Sequence, residues 1–351
     1  MRYFSHLPKE LFYKTPIEIT KDHDKSYIAY SLGALLYMPA TREDIAAVIT
    51  SHKYPLLQTI AICLEDAIAD EEVEKAETML QQLLVEIKGR QELPFIFIRV
   101  RSVSQFNKLQ DMFITHADCI TGFIFPKFSS SNANDYLSNL AKINRYVEMP
   151  FYAMPILESV QVLYKEQRMQ ELMALKKILD NYYDWILNVR LGATDLCGLY
   201  GLRRSGQTPI YDIVIVRELI TDVLNIFART IKEYVVSGVV WEYFDKQNEP
   251  TFIQEILLDR VNGIVGKTII HPSHLVIVQA LQSVSYEEYK DAKAILQQTA
   301  QENGVFKSIF SNKMNETKPH SKWAQKIMIR SEIYGVLAYG KTYQDIIQTS
   351  I

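Results

Sequence analysis

Charged and polar side chains recur at one kind of place in this sequence, the end of a short apolar run. Glu65 and Asp66 follow TIAICL, Arg99 and Arg101 fall in PFIFIRVRS, and Lys127 follows GFIFP. Glu158 closes FYAMPIL, Asp195 follows WILNVRLGAT, and His271 closes KTII. Brought to one mouth, these groups make an ion-rich pocket. Carboxylates on rigid supports suit a hard cation such as magnesium, which takes oxygen ligands and keeps several waters. The arginines suit a carboxylate held in a bidentate fork. A metal with an arginine clamp on an oxygen-rich anion is a setting that stabilises an enolate.

Each residue also has a plainer role open to it. Glu158 could be solvated or cap the following helix, and Asp195 in GATDLCGLYG could be an N-cap. Arg99 inside an apolar run needs a partner or a function, and a buried ion pair with Glu65 or Asp66 would serve. Lys127 follows Pro126, where a turn lysine ordinarily faces solvent. His271 and His274 in HPSH make a weak metal pair, because Pro272 interrupts a regular helix face. Arg203 and Arg204 are expected on the surface. Cys63, Cys119 and Cys197 form no CxxC pattern and are expected as core fillers.

Eight runs must position these groups: residues 33–40, 59–67, 94–102, 122–128, 151–159, 185–196, 233–244 and 267–273. Most are continuously apolar, as parallel strands covered on both faces are. Helical spacing fills the intervals, for example over 71–90, apolar at Val73, Ala76, Met79, Leu80, Leu83 and Leu84. Eight strand–helix units in about 250 residues predict an α/β fold, a (β/α)8 TIM barrel, whose site forms at the C-terminal strand ends. A doubly wound open sheet would need a glycine-rich turn after its first strand, and YMPATRED has no glycine. The expected organisation is an N-terminal arm over 1–30, a barrel over 31–276 and a C-terminal helical extension over 277–351. A polar stretch at 308–323 within that extension is a candidate lid.

The 38 basic and 41 acidic residues leave a net charge of −3, which gives no bulk field for nucleic acid or an anionic membrane. The start lacks a signal-peptide apolar run, and no run approaches the ~20 apolar residues that span a bilayer. A cytoplasmic protein is the expectation. No GxxxxGK[ST], HExxH, GxSxG or strand-following GxGxxG occurs, so nucleotide, zincin and serine-hydrolase chemistry are unsupported.

Taken in order, LYMPA, LEDAIAD, FIRVRS, IFPKF, PILES, LGATDLCGLYG and GKTIIHP resemble the citrate lyase β-subunit and malyl-CoA lyase family. This is the HpcH/HpaI aldolase superfamily of TIM barrels, and the resemblance runs from about residue 31 to about 335, nearest a divergent stand-alone bacterial branch. It implies that Arg99 binds substrate carboxylate and carbonyl oxygens, and that Glu158 and Asp195 coordinate Mg2+. It further implies that Glu65, Asp66 and Lys127 line the metal pocket and that the Gly192, Ala193 and Thr194 backbone faces the substrate carboxylate. In CoA-using relatives a lid aspartate, often from a neighbouring subunit, handles a proton, and Glu316 in KMNETKPH falls near that position. The sequence departs from the pattern at Cys63, which stands first in the family's D-L-E-D, at Arg101 in place of Asn, and at Ser159 in place of Thr. The implied function is a magnesium-dependent carbon–carbon lyase acting on a 2-oxo acid or 3-hydroxyacyl thioester adduct, in a homo-oligomer, trimer or hexamer. Hydrolysis of a malyl-type thioester, or carboxylate binding without catalysis, are the alternatives.

Overall fold

Continuous apolar runs fold as parallel strands here because both faces are covered, by helices outside and by side chains within. The computed structural model describes residues 1–51, 53–229, 232–299 and 304–350. Its eight-stranded sheet runs Ala34–Pro39 (β1), Thr59–Cys63 (β2), Phe95–Arg99 (β3), Ile120–Phe125 (β4), Tyr152–Leu157 (β5), Val189–Leu191 (β6), Val236–Ser237 (β7) and Lys267–Ile269 (β8). Neighbours pair parallel in chain order, and β8 returns to β1 through Ala34↔Lys267. A bridge from Gly238 to Lys267, with the Gly238 N–H donating to Gly266 O at 3.1 Å, joins β7 to β8. Gly266 adopts φ +69°, and a Cβ there would lie 2.5 Å from Gly33 O, so the seam needs glycine. The expected TIM barrel is the observed fold.

The helix Val73–Ile87 buries Ala76, Leu80, Leu83, Leu84 and Ile87, one stripe at helical spacing. Aromatic packing is dense outside β4: Phe125 stacks on Tyr136 at 4.3 Å, and Phe106 meets Phe123 at 4.8 Å. At about 1.5–3 kcal/mol per buried large side chain, this wall holds the strands whose ends carry the site. Two expected strands are shorter than their apolar runs. GATDL lies not in β6 but in the helix Ala193–Leu199, entered at Gly192, and the run 233–244 contributes only Val236–Ser237 before turning into a buried loop around Trp241.

The first thirty residues and the C-terminal helices pack together at the N-terminal end of the barrel. Phe12–Lys14 pairs antiparallel with Val336–Leu337, and Tyr3 packs tilted against Tyr334 at 4.5 Å. The Lys21 ammonium donates to the carbonyls of Asp118 and Ile120 at 2.9 Å, at the start of β4. From the helix Thr317–Ile333, Lys322 and Lys326 pair with Glu233, just before β7. The candidate lid stretch 308–323 is not one loop. Its first part belongs to a hairpin, Val305–Lys307 against Met314–Glu316, and its second part opens the helix Thr317–Ile333. The hairpin is pinned on the helix Tyr286–Thr299 by Ser308 and Asn315, which donate to Asp291. Arg204, expected on the surface, is instead buried: it pairs with Glu255 at 2.6 Å and Glu242 at 2.8 Å. Its partners lie far along the chain, where no local pattern reveals them.

Candidate active site

A cavity of about 900 Å³ opens at the C-terminal strand ends, lined by Asp66, Arg99, Lys127, Glu158 and Asp195 among others. Arg99 ends β3, buried, and its Nη2 pairs with Glu65 Oε2 at 2.6 Å, Asp66 Oδ2 at 2.9 Å and Glu158 Oε1 at 3.5 Å. The ion pair foreseen as its structural role is therefore present, with a third carboxylate added. Its Nε is buried with no acceptor. Burial works against the guanidinium charge, but Tyr37, Glu158 and Glu65 outweigh it and hold the group firmly protonated.

Lys127 does not face solvent freely. Its Nζ donates to Glu65 Oε1 at 2.5 Å and to Asp66 Oδ1 at 3.1 Å, and its backbone N–H donates to Glu158 Oε1 at 2.8 Å. Its backbone sits at φ +47°, a left-handed geometry that costs a lysine about 1–2 kcal/mol. The next residue holds that turn: Phe128 is fully buried, and its N–H donates to Ile156 O at 3.0 Å.

Glu158 sits at the end of β5, almost fully buried. Its Oε1 takes the Lys127 N–H, while Oε2 lies against Gly192, where an added Cβ would approach to 1.9 Å. Burial pushes the Glu158 carboxyl up to about 7; Arg99 opposes this and the nearby Asp195 charge reinforces it. Asp195 stands in the first turn of the helix Ala193–Leu199, on the same cavity wall as Gly192, Ala193 and Thr194. Glu65 lies beneath, its carboxyl raised by burial against the pull of Arg99. Burial also acts upward on half-exposed Asp66, but hydrogen bonding with Glu65, Arg99 and Lys127 hold its carboxyl below the ordinary range.

The structure thus brings together Glu65, Asp66, Arg99, Lys127, Glu158, Gly192, Ala193, Thr194 and Asp195, and leaves Glu316 out. Glu316 pairs with Val305 in the hairpin, and its N–H donates to His320 Nδ1 at 3.0 Å. It precedes the helix that packs at the opposite end of the barrel and does not line the cavity. Arg101 pairs with Asp70 at 2.8 Å, away from the cavity lining. His274 is buried, with Nε2 on Tyr243 O at 2.9 Å, and His271 stacks on Phe244 at 4.8 Å, so the HPSH pair is structural. Cys63, Cys119 and Cys197 are free and buried. Tyr37, Arg190 and Thr268 also line the cavity, and sequence reasoning passed over them. Arg190 carried the same signal as Arg99, a charge within an apolar strand.

Among the described residues no group of three or more His, Cys, Asp or Glu side chains is arranged to hold a metal ion. The donor set still suits one hard cation. Glu65, Asp66 and Glu158 share the two cations Arg99 and Lys127, and Asp195 has no ion-pair partner among the described residues, so this cluster carries surplus negative charge for a cation. Two of these carboxylates, Glu158 and Asp195, repel one another beside open cavity, and magnesium keeps waters in its remaining positions.

A closed parallel barrel with ionisable groups at its strand C-termini defines a TIM-barrel enzyme site. The chain belongs to the family "C-C_Bond_Lyase of the TIM-Barrel fold", whose model matches residues 26–336, and it is a carbon–carbon lyase. A search of curated proteins found no match. Among solved structures, a citrate lyase from Burkholderia xenovorans LB400 is similar at TM-score 0.64 and 12% identity, covering 88% of this chain and 94% of that one. Protein CitE from Mycobacterium tuberculosis, in complex with magnesium, acetoacetate and coenzyme A, is similar at TM-score 0.56 and 16% identity, covering 85% and 97%. The citrate lyase beta subunit of the same organism, complexed with oxaloacetate and magnesium, gives TM-score 0.50 and 16% identity over 72% and 98%.

Proposed function

We propose that the protein is a magnesium-dependent lyase that cleaves or forms a carbon–carbon bond in a 2-oxo acid or 3-hydroxyacyl thioester adduct. The observation that carries this is the buried Glu158 carboxylate, set beside Asp195 at the cavity wall and paired directly with Arg99, which Glu65 and Asp66 also hold. Two of the proteins similar in fold are complexed with magnesium and acetoacetate or oxaloacetate, which supports the same ligand class here.

Glu158 and Asp195 would hold the magnesium, which when bound supplies Lewis-acid polarisation of a carbonyl and charge for a developing enolate. Arg99 directs guanidinium hydrogens toward substrate oxygens from a position fixed by three carboxylates. Because Glu65 and Asp66 hold both Arg99 and Lys127, neither cation needs to reorganise as charge develops, which is how fixed dipoles and charges lower a barrier. The wall of Gly192, Ala193 and Thr194 would face the substrate carboxylate. A cavity of about 900 Å³ exceeds what a small oxo acid fills and leaves room for an adduct or thioester arm. We place the protein in the cytoplasm as a homo-oligomer; three free buried cysteines agree with a reducing compartment. No described helix is long and apolar enough to cross a membrane. Within one protomer Glu316 is remote, so any lid carboxylate would come from a neighbouring subunit.

The test is a panel of 2-oxo acids and 3-hydroxyacyl thioesters with magnesium. Turnover that releases two carbon fragments supports a lyase. Release of free thiol without carbon–carbon cleavage would indicate a thioesterase, and saturable binding without turnover would indicate a sensor.

A further inference from the structure

Four arginines are buried among the described residues: Arg99, Arg168, Arg190 and Arg204. Three have a carboxylate at close range, Arg99 with Glu65 at 2.6 Å, Arg168 with Asp222 at 2.9 Å and Arg204 with Glu255 at 2.6 Å. Arg190, only 3% exposed, has none among the described residues. It reaches from β6 to Thr268 on β8, with Nη2 donating to Oγ1 at 2.6 Å, and it adjoins the Tyr37 hydroxyl on β1. All three side chains line the cavity. A buried cation without a counter-charge is unfavourable unless a ligand supplies one.

The charge balance of the rest of the cavity says which ligand. Arg99 and Lys127 are already outnumbered by the carboxylates around them, so neither is left to neutralise a second carboxylate on the substrate. In a closed eight-stranded barrel β8 lies across from β4, the strand that leads to Lys127, so Thr268, with Arg190 bonded to it, stands in the half of the mouth away from Lys127. We propose that Arg190, Tyr37 and Thr268 form an anion subsite that seats a second carboxylate of the substrate, so that the enzyme selects dicarboxylates over monocarboxylates. The guanidinium fork supplies paired donors, the two hydroxyls complete the shell, and the Tyr37 ring lies 5.9 Å from the Arg99 guanidinium, between the two halves. This deepens the proposed lyase function by naming the substrate's charge.

The experiment is calorimetric titration of the full chain, in magnesium buffer, with malonate, succinate and glutarate, each against its monocarboxylate of equal length. At least one dicarboxylate is expected to bind about 10-fold or more tightly than its partner, the gain typical of a charged hydrogen-bonded pair. Arg190→Gln should bring that ratio close to one. Tyr37→Phe and Thr268→Val should each lower it about threefold, and they carry the test if Arg190→Gln does not fold. Absence of any dicarboxylate preference in the wild type overturns the proposal, as does a preference that survives the substitutions. A separate magnesium titration distinguishes the two readings: dicarboxylate selection without metal binding overturns the metal site and keeps this subsite, and metal binding without selection does the reverse.

Discussion

Removing the Arg99 charge should destabilise the protein by an amount that the site's geometry bounds. Arg99→Met leaves Glu65, nearly fully buried, with only Lys127 as a cationic partner, and leaves Glu158 with a backbone N–H alone. Removing one member of a buried ion pair costs about 3–5 kcal/mol. The half-exposed Asp66 adds little, because solvent screens its share. Glu158 softens the loss, since its carboxyl already stands near 7 and can take a proton at little cost. The expected loss is therefore at the lower end, about 3 kcal/mol, and Arg99→Lys, which keeps the charge but not the fork, should lose about 1 kcal/mol. Equilibrium urea unfolding followed by tryptophan fluorescence, without magnesium, measures both through the shift in midpoint at unchanged slope. Adding Glu65→Gln to Arg99→Met should recover about 2 kcal/mol, because the stranded charge is gone. A loss below 1 kcal/mol in Arg99→Met, or strict additivity in the double variant, would refute the ion-pair reasoning.

Gly192→Ala places a methyl 1.9 Å from Glu158 Oε2, so the carboxylate must move; it should cost about 1–3 kcal/mol in the same unfolding assay and weaken magnesium binding more than tenfold. An unchanged magnesium titration would show that Glu158 has room to spare. His274 is buried and its pKa is lowered to about 4, so the folded state refuses a proton that the unfolded chain accepts below about 6.5. Stability should then be unaffected above pH 6.5 and fall by up to roughly 3 kcal/mol as the pH drops from there to about 4, and His274→Gln should flatten that part of the profile. Glu316→Gln should leave turnover of a non-thioester 2-oxo acid within a few-fold of wild type, because Glu316 lies away from its own protomer's cavity. A loss as deep as that of Asp195→Asn would mean that a neighbouring subunit delivers it.

The barrel was legible because burial on both faces leaves a signature that needs no partner to be read. TIAIC, FIFIR and YAMPIL are apolar but for Thr59 and Arg99, and each became a strand with a polar group at or just past its mouth end. Glu65, Asp66, Arg99, Lys127, Glu158 and Asp195 could be grouped because a barrel gathers its strand ends, whatever their separation in sequence. Arg190 was missed for a related reason. It lies inside NVRLGATDL, two residues before the glycine turn, where attention goes to the strand's end. What could not be read locally was set by distant contacts: the burial of Arg204 depends on Glu255, and the place of the C-terminal helices depends on Glu233 and on Tyr3 against Tyr334.

If Glu158 and Asp195 make a magnesium site, titrating the ion by calorimetry into wild type, Glu158→Gln and Asp195→Asn will show it. Each variant keeps the shape of its side chain and removes one charged oxygen donor, so the fold should survive, as circular dichroism would show. Saturable magnesium binding is expected in the wild type and none in either variant. Magnesium affinity equal to wild type in both folded variants would contradict that site.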